Sequence, residues 1–87
     1  MTIRYIVEKC KTKAAYSARL QQKGKLNLAQ IKEKFDVILE TPILLVITVD
    51  GIEIIVHNYG ELLFKEGDDI EWMKQIAERI YEQGLSI

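Results

Sequence analysis

The chain has 87 residues, 48% of them hydrophobic, with one proline, five glycines and one cysteine. That length predicts one small domain over residues 1–87, in which roughly 60–65% of the surface is buried, and the apolar content excludes a wholly disordered chain. The net charge of −1 hides a division: residues 1–36 hold nine basic and three acidic side chains, and residues 37–87 hold three basic and ten acidic.

A lone Cys10 has no internal disulfide partner. The opening "MTIRYIVEKC" has no apolar core of a signal peptide. The longest apolar stretch, Ile43 to Val49, falls far short of the ~20 residues that span a bilayer. These features predict a reduced, cytoplasmic protein with no membrane association.

In chain order, "TIRYIVEK" (residues 2–9) alternates as a strand, with Ile3, Tyr5 and Val7 on one face and Arg4, Ile6 and Glu8 on the other. Tyr16, Ala18 and Leu20 alternate too, although the alanines and glutamines of "CKTKAAYSARLQQKGK" suit a helix equally; the reading preferred is a second strand paired to the first across the lysine-rich "KCKTK" turn. "LNLAQIKEKFD" predicts a short helix capped by Asn27, with Leu28, Ile31 and Phe35 as its apolar stripe. "VILE" is a short strand that stops before Thr41 and Pro42, since proline cannot donate to a ladder. "ILLVITV" and "IEIIVHN" flank Asp50 and Gly51, a strong hairpin signal. A two-residue turn there pairs Val49 with Ile52, Ile47 with Ile54 and Leu45 with Val56 on one face. On the other it pairs Leu44 with His57, Val46 with Ile55 and Thr48 with Glu53.

Asn58, Tyr59 and Gly60 form the next turn. Either Tyr59 and Gly60 make a two-residue loop, or Gly60 is the left-handed residue of a three-residue one. "ELLFK" returns as a strand. "DDIEWMKQIAERIYEQ" predicts a helix of about four turns, with Asp68 as N-cap and Glu71 completing a capping box. Its buried stripe is Ile70, Met73, Ile76, Ala77 and Ile80, and Gly84 is expected to end it in a left-handed cap. The fold class is therefore α+β: an antiparallel sheet of about four to six strands with two helices on one face, in two layers.

The stretch "IIVHNYGELLFKEGDDIEWMKQIAERIYEQGL" resembles the second half of one TATA-binding-protein repeat. Both run through an apolar strand, a glycine hairpin, a short strand and a long amphipathic helix. The resemblance covers about a third of the chain and implies the fold class alone. The paired phenylalanines and basic sheet face that the family uses on DNA are missing from this sequence.

His57 stands on a strand with Glu53 two pairs away, and its reading is a half-buried strand histidine; a small enzyme built on His57 is the competing one. The run "EGDDIE" offers Glu66, Asp68, Asp69 and Glu71 to a hard cation, but acids at a helix start serve as caps and meet the helix dipole. No metal and no cofactor are expected. Lys9, Lys11, Lys13, Arg19, Lys23 and Lys25, with Tyr16 to stack on a base, form the nucleic-acid alternative within residues 4–34.

The expectation ranked first is a non-catalytic binding domain acting through self-association or a protein partner. Helices on one side can cover only one sheet face. The longer apolar set, Leu45, Ile47, Val49, Ile52, Ile54, Val56 and Leu63, is assigned to the covered face. Leu44, Val46, Ile55, His57, Leu62 and Phe64 are assigned to the open, partner-binding face, unless residues 10–25 fold over it.

Overall fold

A computed structural model describes residues 3–9, 15–22 and 24–85. In order, the elements are β1 (Tyr5–Lys9), β2 (Tyr16–Leu20), α1 (Leu28–Lys32), β3 (Asp36–Glu40), β4 (Leu44–Val49), β5 (Ile52–His57), β6 (Glu61–Phe64) and α2 (Ile70–Leu85). The strands form one antiparallel sheet in the order β1, β2, β6, β5, β4, β3. The α+β class is as read from the sequence. So is the register of the β4–β5 hairpin, pair for pair. Asp50 and Gly51 both have positive φ, 52° and 81°, as the primed two-residue turn demands.

Both helices lie on one face of the sheet. Leu45, Ile47, Ile54, Val56, Leu62, Phe64 and Ala18 project from the strands into a core closed by Met73, Ile76, Ala77, Ile80 and Tyr81 of α2 and by Leu26 and Ile31 at α1. Ring contacts fasten the helix to the sheet: Phe64 meets Trp72 edge-on at 6.2 Å, and Tyr5 meets Tyr81 at 5.4 Å. The Tyr81 hydroxyl donates to the Gly60 carbonyl at 2.8 Å, so this buried phenol is satisfied and tied to the β5–β6 turn.

Asn27 caps α1, accepting from the N–H groups of Ala29 and Gln30. At α2 the cap is Asp69 and not Asp68: the Asp69 carboxylate accepts from Trp72 N at 3.1 Å, three residues on. The buried stripe of α2 starts a turn later than expected. Ile70 at its first position is 41% exposed, and Tyr81 joins the stripe instead. Gly84 does not end the helix in a left-handed conformation. It remains within α2 and is buried, and a Cβ there would stand 2.9 Å from Ile31 Cδ1 and 3.0 Å from Leu26 Cδ2. Its carbonyl accepts from Asn27 N at 2.8 Å, which satisfies one of the free carbonyls at the helix end.

The assignment of the β6 side chains to faces is reversed. Val56 pairs with Leu62 and Ile54 with Phe64, so Leu62 and Phe64 share the covered face and are fully buried, while Leu63 shares the open face with Ile55. The cause is the loop. Gly60 N bonds the His57 carbonyl at 3.0 Å, and Gly60 has φ 110°, so Asn58, Tyr59 and Gly60 all lie in the turn. A two-residue loop would move β6 by one residue, and that exchanges its faces. β2 (Tyr16–Leu20) takes a place within the sheet, and Gly24 packs beside Leu85 on the helix side. Neither β2 nor Gly24 lies across the open face. Of residues 10–25, residues 10–14 and 23 lie outside the described residues.

Candidate functional site on the open sheet face

The register aligns the open-face side chains in three rows across the strands. The central row runs Glu8, Ser17, Leu63, Ile55, Val46, Leu39 from β1 to β3. Four neighbouring apolar side chains thus follow a polar β1–β2 end and run out to the β3 edge. One flanking row holds Glu53, Thr48 and Asp36, with Lys65 beside Glu53 through the bond from Lys65 N to the Glu53 carbonyl. The other flanking row holds Ile6, Arg19 and Glu61, then His57 and Leu44.

Exposure along the apolar row is uneven. Leu63 is 5% exposed, Ile55 and Val46 are half-buried, and Leu39 at the β3 edge is 51% exposed. Ile38, in the β3 bulge, is 56% exposed, and Ile43, in the β3–β4 turn, is 61% exposed. The apolar surface open to water is therefore centred toward β3, not in the middle of the sheet. The β3 backbone is a poor template for another strand. A register shift between Val37 and Leu39 leaves Ile38 as an extra residue, and such a bulge blunts an edge.

His57 belongs to a small polar cluster on the open face. Its ring stacks on Tyr59 at 5.0 Å with an 18° interplanar angle, and the Tyr59 hydroxyl donates to Glu61 at 3.0 Å. Partial burial, then the Glu61 hydrogen bond, raise the Tyr59 pKa above its ordinary value. One step beyond the β5–β6 ladder, Glu61 falls opposite His57, and it pairs with Arg19 on its other side. A two-residue loop would put Glu61 on the far face, so the same register change assembles this group. Arg19 in turn bridges Glu8 at 2.9 Å. The cluster is a surface patch of stacked and paired side chains.

The acidic run at the start of α2 is partly committed to Trp72. Asp69 accepts from its backbone N–H, and Asp50 accepts from its indole Nε1 at 3.1 Å. Among the described residues, no group of three or more His, Cys, Asp or Glu side chains is placed to hold a metal ion.

The basic residues separate. Arg19 is on the open face and paired with Glu8; Lys9 and Tyr16 are register partners on the opposite side, and Tyr16 packs against the core, half-buried. Lys25 is exposed in the loop before α1. Lys11, Lys13, Lys23 and Cys10 lie outside the described residues. Of the six residues assigned to the partner face, the structure brings Leu44, Val46, Ile55 and His57 together and removes Leu62 and Phe64 to the core. Leu39 and Leu63 take their places; Leu63 was concealed by the loop-length ambiguity, and Leu39 by the unreadable bulge. No helix is long and apolar enough to cross a membrane among the described residues. No protein-family model, curated protein or solved structure matches the chain.

Proposed function

We propose that the protein is a non-catalytic binding domain whose open sheet face packs on another protein surface, a second copy or a different chain. The observation that carries this reading is the apolar run Ile55, Val46, Leu39, uncovered by either helix and flanked by Glu53, Thr48 and Asp36 on one side and by Glu61 and His57, with Leu44, on the other. An apolar centre with a polar rim is the anatomy of a protein interface, and a free antiparallel face without a partner ordinarily carries polar side chains.

Molar mass in solution at low and high salt tests it. Association through this face persists in salt because its centre is apolar, whereas charge-driven association is screened away. Val46→Lys and Ile55→Lys should leave the fold intact, since both side chains point away from the core, and should abolish association through this face while leaving any pairing through another surface in place. Face variants that associate as the wild type does, with whichever partner the wild type takes, would remove the face from consideration.

A further inference from the structure

We infer that the β1 edge is a self-complementary surface through which two copies of the chain join their sheets about a two-fold axis. This edge is distinct from the open face, and its pairing stands or falls separately. β1 pairs with β2 along an unbroken register, with no bulge. Gln21 N donates to the Arg4 carbonyl at 2.8 Å, which fixes the phase of the ladder. In an antiparallel pair alternate residues direct their N–H and C=O groups to the partner. Arg4, Ile6 and Glu8 therefore bond toward β2, and Tyr5, Val7 and Lys9 present theirs outward.

An antiparallel second copy centred on Ile6 satisfies this pattern. Tyr5 falls opposite Val7 of the other copy, and both offer outward N–H and C=O groups, so the pair exchanges hydrogen bonds in both directions. Ile6, 38% exposed, meets its own equivalent at the axis. Arg4 falls opposite Glu8 of the other copy on the open-face side, twice by symmetry. Each Glu8, already bridged to Arg19, gains a second guanidinium. Moving the centre to Val7 sets Ile6 against Glu8 and Tyr5 against Lys9, without an opposite-charge pair, so charge complementarity selects the Ile6-centred register. On the helix side a groove of about 440 Å³ lined by Tyr5, Ile6, Val7 and Lys74 leaves room for the neighbouring strand's side chains. β3, bulged and followed by Pro42, offers no such template.

The test is association of charge variants, read by sedimentation or light scattering. Arg4→Glu places two carboxylates face to face across the axis, and Glu8→Arg places two guanidinium groups there; each change alone should raise the dimer dissociation constant by on the order of ten-fold. Mixed in equal amounts the two variants should recover dimerisation, because every facing pair is again opposite in sign. Val7→Pro removes an outward donor that takes no part in the β2 ladder, and should give a folded monomer. Val46→Lys should leave the edge dimer in place, which separates this pairing from association through the open face. A wild-type chain that is monomeric throughout, a dimer unaffected by the edge variants, or failure of the mixture to recover would each overturn the edge pairing.

Discussion

Two glycines show how single atoms decide local stability here. Gly84 sits inside α2, where alanine is ordinarily favoured by ~1 kcal/mol. The added Cβ would press on Ile31 and Leu26, both nearly or wholly buried, and overpacking typically costs ~1–3 kcal/mol. The clash should outweigh the propensity, so Gly84→Ala should lower the denaturant midpoint. Gly60 combines φ 110° with a Cβ position 2.8 Å from Leu20 Cβ; Gly60→Ala should cost more than Gly84→Ala, since it adds backbone strain to the clash. At the helix start, Asp69→Ala should cost ~1 kcal/mol by loss of the cap, with Asp68→Ala near neutral; equal effects would place the cap elsewhere. Tyr5 is pushed up to about 12, first by burial and then by its hydrogen bond to Glu78. A raised native pKa means that the neutral phenol stabilises the fold below the ordinary tyrosine pKa, near 10, and that this contribution is lost between there and about 12. Tyr5→Phe should diminish that loss in an alkaline titration followed by circular dichroism.

Among the elements, β6 shows most directly how one loop residue sets a face. Phe64→Glu should unfold the chain, because it buries an unpaired carboxylate in a fully enclosed site, whereas Ile55→Lys on the adjacent strand should be tolerated. Thermal melts of the two variants compare the faces directly. The β4–β5 hairpin was legible to the residue because Asp50 and Gly51 leave one turn geometry open. The β5–β6 turn was not, since "NYG" permits two loop lengths of opposite consequence, and only tertiary contacts such as the bond from Tyr81 to Gly60 distinguish them. The bulge at Ile38 has no signature in "DVILE". The cap of α2 was ambiguous because two aspartates stand side by side. The candidate face was thus half legible: its β4 and β5 members followed from alternation, while its β6 and β3 members depended on irregular backbone.

At the scale of the whole molecule, the charge division of the sequence is partly offset by pairing among the described residues. β1 and β2 form one side of the sheet, where the open-face Arg19 is neutralised by Glu8. α1, with Lys32, lies near β3, and Lys32 reaches Glu40 at 2.9 Å. The strand order has a kinetic consequence as well. β3 to β6 is a meander of neighbours, but β2 completes the sheet only by pairing with β6, matching Tyr16 to Phe64 across most of the chain. Closing that long loop costs entropy before any contact is gained. The meander with α2 should therefore collapse first, and the β1–β2 hairpin should dock onto it late. Stopped-flow kinetics would report the order: Ile54→Val should slow refolding, and Ala18→Gly should chiefly accelerate unfolding. On a ribosome the same geometry would hold the hairpin without its sheet partner until β6 has emerged, so the first strands made would be the last to find their place.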